Sequence, residues 1–330
     1  MMLLLLKMPA KRHKKLSIRL FPFTFCTCSC KLKSKTIIVV AGPTAVGKTS
    51  VAIEIAKHFQ TQIVSADSRQ CYRELHIGVA KPNSQQLNQV KHYFIDSHSI
   101  HETVNAASFE QYALHAAEEI FKHKKIAVMV GGTGLYMKAF CEGLDKIPQI
   151  HQDIRNDIIS GYNLSGLSWL QEEVKKNDPT YFSGGEIFNP QRLIRALEVK
   201  LATGKSIREF QMQKKAIREF NIIKVALELP KAQLHLNINS RVDEMIKQGL
   251  VQEVLTLQPH KHLAALRTVG YSELFDHLEG NLSLDEATDL IKKNTRLYAK
   301  RQRTWFRKDS SIKWYDPSQT KQIIDLYQDY

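Results

Sequence analysis

The chain has 330 residues, 43% of them apolar and 24% charged; these are the proportions of an ordinary soluble protein, long enough for a large core and for about two domains of about 150 residues each. Its 47 Lys and Arg against 33 Asp and Glu give a formal charge of +14, which permits a polyanionic partner without requiring one. Five cysteines, an odd number without paired spacing, argue against a disulfide framework and for a reducing compartment, so a cytoplasmic location is expected.

The charge is unevenly placed. Lys7, Lys11, Arg12, Lys14, Lys15, Arg19, Lys31, Lys33 and Lys35 precede the first clear apolar strand with no acid among them, leaving 38 bases against 33 acids, a net of +5, for the rest. The run Met1 to Leu6 is too short to span a bilayer, and the stretch Leu20 to Phe25 is broken by Pro22, so no transmembrane helix and no membrane partner are expected. Residues 1–35 read as a basic N-terminal extension, disordered or not native: a transit peptide, an abortive secretory signal, or an upstream start codon read as coding, with Met8 as the alternative start. Cys26, Cys28 and Cys30 lie in it, but without a nearby His or second Cys pair their spacing does not favour a metal site.

Apolar runs bounded by turn signals follow at Ile37 to Ala41, Ile63 to Ala66, Ile126 to Val130 and Ile222 to Leu229, with helical patterns between them. Continuous apolar strands alternating with helices predict an α/β fold with a parallel sheet covered on both faces. The first run leads into Gly42-Pro43-Thr44-Ala45-Val46-Gly47-Lys48-Thr49. This fits the phosphate-binding pattern G-x-x-x-x-G-K-[ST], whose backbone N–H groups and helix N-terminus cradle phosphates, with Lys48 on the outer phosphates and Thr49 as a Mg²⁺ ligand. The fold is therefore expected to be of the P-loop NTPase type, nucleotide-binding if the ligand is ATP. The companions of NTP hydrolysis are harder to find: the strand at Ile126 to Val130 runs into Gly131-Gly132-Thr133-Gly134, and no N-K-x-D guanine reader exists.

The second run ends in Asp67-Ser68-Arg69-Gln70, at the strand edge where doubly wound sheets bind ligands. An Asp there can hold Mg²⁺ through water or take a proton from a nucleophile, and the residues do not separate the two. From about Ile147 to Ser206 the strand signal stops and helices are expected, with Asn189-Pro190 as cap and first turn and Gly204 as terminator. Ser283 to Glu286 forms a capping box opening a long helix. On that helix Lys293, Arg296, Lys300, Arg303 and Arg307 share one face, while Ile291, Tyr298 and Trp305 line another. A solvated face explains such a stripe as well as an RNA backbone does.

Eight segments carry a resemblance: GPTAVGKT, ADSRQCY at Ala66 to Tyr72, IGVAKP at Ile77 to Pro82, VGGTGLYMKAF at Val130 to Phe140, NPQRLIRALEV at Asn189 to Val199, RVDEMIKQGLVQEV at Arg241 to Val254, VGYSEL at Val269 to Leu274 and TRLYAKRQRTWFR at Thr295 to Arg307. In that order the chain resembles the tRNA dimethylallyltransferases. The resemblance implies transfer of a dimethylallyl group from dimethylallyl diphosphate to N6 of adenosine 37 beside the anticodon, with Mg²⁺ as cofactor and the anticodon stem-loop of tRNA as partner. It implies catalytic roles for Asp67 as general base, Lys48, and Arg241 as pyrophosphate clamp, with residues 42–49 cradling the diphosphate through the backbone donors of residues 44–49. It also implies an all-helical insertion over 144–207 between core segments 36–143 and 208–330. The tRNA contacts it implies are Asp67, Ser68, Arg69, Gln70, Thr133, Arg155, Gln191, Arg192, Leu193, Ile194, Arg195, Arg267 and Tyr271. A monomer is expected. Val79 departs from the family's usual Thr, and Asn237 from a frequent Arg. The alternatives are an adenylate isopentenyltransferase acting on free AMP, ADP or ATP, and a P-loop nucleotide-dependent RNA-binding protein.

Overall fold

The computed structural model describes residues 35–211 and 214–325. The N-terminal extension up to residue 34, with Cys26, Cys28 and Cys30, lies outside the described residues. Among the described residues six strands form one wholly parallel sheet in the order β3-β2-β4-β1-β5-β6. They are β1 (Thr36–Ala41), β2 (Ile63–Ala66), β3 (His92–Tyr93), β4 (Ile126–Gly131), β5 (Asn221–Leu227) and β6 (Lys313–Tyr315). The central strand β1 is buried along its whole length, which is why its Val and Ile run does not alternate with polar residues. Its side chains divide between two cores: Ile37, Val39 and Ala41 face one, Ile38 and Val40 the other. Two edge strands escape a reading by apolar runs, because two and three residues are too few to show a period. The β5 strand stops at Leu227 rather than Leu229, and Glu228 N–H donates to Tyr315 O beyond it.

The helices are α1 (Lys48–His58), α2 (Ser84–Gln89), α3 (Ala106–Phe121), α4 (Gly134–Glu142), α5 (Gln152–Asn177), α6 (Pro179–Phe182), α7 (Pro190–Thr203), α8 (Ile207–Phe210), α9 (Lys231–Lys247), α10 (Leu250–Leu257), α11 (Tyr271–Leu278), α12 (Leu284–Phe306) and α13 (Thr320–Asp325). Buried residues of α1 and α13 join one side of the sheet and those of α3, α4, α10 and α11 the other, while α9 and α12 contribute to both. A third core is built from α5 to α8 alone, around Leu170, Val174, Leu193, Leu197 and Ile207. Its helices begin and end where the sequence provides caps. Asn189 Oδ1 accepts from Gln191 N and Arg192 N, Pro190 occupies the first turn, and Gly204 closes α7 at φ 72°, a left-handed conformation that glycine adopts without penalty. The Ser283 and Glu286 capping box opens α12. Among the described residues no helix is long and apolar enough to cross a membrane.

Candidate active site

The turn between β1 and α1 is built on left-handed backbone at Gly42 (φ 139°), Ala45 (φ 63°) and Gly47 (φ 97°). A Cβ at residue 42 would lie 2.8 Å from Leu227 O, so the turn requires glycine there on space as well as conformation. Lys48 starts α1, and its Nζ donates to Pro43 O at 2.7 Å. Burial lowers its pKa to about 7, with the Arg241 charge pulling the same way and the Asp67 carboxylate opposing. Two helices hold the turn from outside. From α9, Arg241 Nη1 donates to Thr44 Oγ1 at 3.3 Å and Asn237 Nδ2 to Ala45 O at 3.2 Å. From α12, Gln302 Oε1 accepts the Thr44 N–H at 2.8 Å while its Nε2 donates to Gly132 O at 3.0 Å. The donor set expected for phosphate, residues 44–49, is thus corrected by one: the Thr44 N–H is already engaged. Burial also lowers the Arg241 pKa.

At the end of β2, Asp67 Oδ1 accepts from the backbone N–H of Arg69 at 2.9 Å and of Gln70 at 3.3 Å. These bonds fix the side chain by its own turn, and Oδ2 accepts no hydrogen bond from the described residues. Ser68 N–H donates to Thr133 Oγ1 at 3.1 Å, and Thr133 also bonds the Tyr298 hydroxyl, whose pKa burial raises to about 12. Gln70 Nε2 reaches the carbonyls of Val79 at 3.3 Å and Ala80 at 3.0 Å.

Two cavities meet at these residues. One, of about 800 Å³, is lined by Thr44, Ala45, Gly47, Lys48 and Thr49 of the turn, together with Asp67 and Arg241. The other, of about 560 Å³, is lined by Ser68, Arg69, Arg267, Arg301, Asn294 and Thr295. Thr44, Asp67, Val79, Ala80, Arg241, Met245 and Tyr298 line both and form the wall between them. The hydroxyl of Thr49 and the carboxylate of Asp67 share the first cavity. Among the described residues no cluster of three or more His, Cys, Asp or Glu side chains exists. Such sparse oxygen donors fit Mg²⁺, which is commonly held by one or two protein oxygens plus phosphate oxygens and water.

Other sequence-nominated residues lie elsewhere or are buried. Neither Arg155 nor any of Gln191 to Arg195 lines either cavity. The side chains of Leu193 and Ile194 are packed in the third core at 0% and 2% exposure, so they are corrected from contact residues to core residues. Tyr271 is likewise corrected: it is fully buried, and its hydroxyl donates to Glu253 Oε1 at 2.5 Å. Arg155 Nη1 binds Glu198 Oε2 at 2.6 Å, Arg195 binds the other oxygen of Glu198, and Arg192 pairs with Glu186. The five-cation stripe on α12 is also partly relieved. Arg296 donates to Asn239 Oδ1 at 2.7 Å, and Arg307 pairs with Glu228 at 2.6 Å.

Residues that sequence reasoning missed include Gln302, Arg301 and Asn294. The clue to Gln302 is glycine at both 132 and 134: a Cβ there would lie 2.1 Å from Gln302 Nε2 and 2.2 Å from the Trp305 ring. Glycine at 132 and 134 thus leaves the room in which α12 packs onto this loop.

Comparison with known proteins follows the same segments. Residues 70–309 match the family model described as IPP transferase. A tRNA dimethylallyltransferase of Christiangramia forsetii is 45% identical over 290 residues, covering 88% of this chain and 96% of that protein. The crystal structure of the full-length tRNA isopentenylpyrophosphate transferase of Bacillus halodurans superposes with TM-score 0.65 at 32% identity, covering 88% of this chain and 95% of that one. A eukaryotic dimethylallyltransferase, captured in crystallographic snapshots acting on tRNA, superposes with TM-score 0.69 at 25% identity over 82% of this chain and 69% of its own.

Proposed function

The chain belongs to the IPP transferase family, and we propose that it transfers a dimethylallyl group from dimethylallyl diphosphate to N6 of adenosine 37 of tRNA, releasing pyrophosphate. The observation that carries this reading is the shared wall: Asp67, with one carboxylate oxygen open, stands between a cavity floored by an anion-binding turn and a cavity rimmed by Arg69, Arg267 and Arg301. The diphosphate occupies the first cavity and the extruded adenine the second. The buried free thiols Cys71 and Cys141 suit a reducing compartment such as the cytoplasm.

An exocyclic adenine amine is a weak nucleophile, so the reaction depends on the C1–O bond of the donor loosening before the N6–C1 bond is complete. The developing charge on pyrophosphate is met by the free N–H groups of the turn, by protonated Lys48 and by Arg241. Thr49, with Asp67 available through water, would hold a Mg²⁺ ion, which would supply neutralisation of phosphate charge. The N6 proton passes to Asp67 Oδ2. Gly132 and Gln302 fix the turn so that these donors are in place before the substrate arrives.

The test is incubation of purified protein with labelled dimethylallyl diphosphate and, in parallel, anticodon stem-loop RNA and AMP. Label on the RNA and none on AMP is expected. Label on AMP would assign the second cavity to a mononucleotide, and ATP hydrolysis without prenyl transfer would make the protein a nucleotide-dependent RNA binder.

A further inference from the structure

Glu253, on α10, lines neither cavity, and among the described residues no Lys or Arg pairs with it. Its carboxylate is satisfied instead by donors from one loop and one ring. Oε2 accepts from His76 N at 3.2 Å and Ile77 N at 2.8 Å; Oε1 accepts from Gly78 N at 3.1 Å and from the Tyr271 hydroxyl at 2.5 Å. Three successive amides aimed at one anion form a small nest, and it closes against the Tyr271 ring: a Cβ at residue 78 would lie 2.5 Å from Tyr271 Cε2.

The next residues of this loop are the wall between the cavities, since Val79 and Ala80 line both. Their carbonyls accept from Gln70 Nε2, and the Gln70 backbone N–H donates to Asp67 Oδ1. A path of hydrogen bonds joined by short covalent stretches therefore runs from Glu253 through residues 76–80 and Gln70 to the carboxylate that faces both cavities. We propose that Glu253 is a positioning residue, which sets the orientation of Asp67 by anchoring the 76–80 loop. The inference rests on the reading of Asp67 as general base. Tyr271, fully buried, serves the same anchor from the other side.

Glu253→Gln is nearly isosteric but turns one acceptor oxygen into a donor, so it opposes two of the four donors. Tyr271→Phe keeps the ring against Gly78 and removes a single hydroxyl. Glu253→Gln is expected to lower kcat by about tenfold with KM for tRNA within about twofold, and Tyr271→Phe to lower kcat by a smaller factor, since an interaction that shapes only the reacting geometry is lost from kcat rather than from substrate affinity. Hydrogen exchange gives a readout that needs no turnover: the Ile77, Gly78 and Gln70 amides should each exchange at least about tenfold faster in Glu253→Gln. Unchanged kcat, a loss confined to KM for tRNA, or Gln70 exchange equal to that of the unaltered protein overturns the proposal. Failure of the unaltered protein to prenylate RNA would sink the base reading instead, and the exchange rates would still decide whether the anchor reaches Asp67.

Discussion

Lys48 shows how one residue acquires chemistry that its motif does not specify. Its ammonium is drawn down to about pKa 7 mainly by burial, with Arg241 adding repulsion and Asp67 only partly compensating. A diphosphate restores the charged form, so binding below about pH 7 needs no proton, while binding above it must take one up. Donor affinity is therefore expected to be nearly flat with pH below 7 and to weaken toward about tenfold per pH unit above it. Calorimetry of an unreactive prenyl diphosphate across this range, repeated with Lys48→Arg, separates the lysine from the ligand's own ionisation, because Arg stays charged; identical profiles for the two proteins would exclude the linkage. The sign for folding follows from the same shift. With a folded value near 7 against an ordinary 10.5, the empty site is least stable below about pH 7 and gains stability as pH rises toward 10.5. The phosphate-loop motif identified Lys48 and Thr49, and the end of the second strand Asp67, but not this depression, which comes mainly from burial of the ammonium beneath packed segments distant in sequence, with Arg241 from α9 adding to it. Glu198 is a second case. Its buried carboxylate holds Arg155 from α5 and Arg195 from α7, so Glu198→Gln releases two guanidiniums at once. An increase of severalfold in KM for tRNA with KM for the donor unchanged is expected, because the third core lies outside both cavities; a change in donor KM would contradict that separation.

At the scale of elements, α12 joins regions that a linear reading kept apart. Its capping box and its apolar and basic faces were legible, because caps and a helical period are local signals. Likewise Asn189, Pro190 and Gly204 bounded α7 correctly. What local patterns could not contain is that Gln302 on α12 binds the turn after β1 and the loop after β4 simultaneously. The edge strands β3 and β6 were illegible for a related reason: they are defined by partners, His92 against Ile63 and Lys313 against Val225, rather than by their own composition. Gln302→Ala leaves the buried Gly132 carbonyl and the half-buried Thr44 N–H without partners, at about 1–3 kcal/mol for the buried group. The melting temperature should fall, and KM for the donor should rise severalfold while KM for tRNA changes little, since Gln302 itself lines the first cavity and not the second. Equal shifts in both constants would mean that α12 supports the whole fold without a specific grip on the turn.

For the whole molecule, the decisive quantity is how much positive charge remains available after internal pairing. A net charge of +14 was legible from composition, but which cations are free was not, because their partners come from distant segments. Arg307 is neutralised by Glu228 and lies over the Trp314 ring at 4.7 Å, and Arg296 is held by Asn239. Lys293, Lys300 and Arg303, from the same helical face, have no ion pair among the described residues. Uncompensated cations one turn apart repel one another on a bare helix by a few tenths of a kcal/mol per pair, and a nucleic-acid backbone relieves that repulsion while releasing counterions. Replacing Lys293, Lys300 and Arg303 by Glu should therefore flatten the plot of log affinity for tRNA against log salt by about two to three units, near the 0.7–0.9 per phosphate contact typical of such interfaces. Arg307→Gln should leave that slope unchanged, since its charge is spent on Glu228, and kcat at saturating tRNA should hold in both variants because neither alters a cavity wall. Equal slopes for the triple variant and Arg307→Gln, measured by filter binding over a salt series, would return the face to solvent and confine the RNA contacts to the rim of Arg69, Arg267 and Arg301.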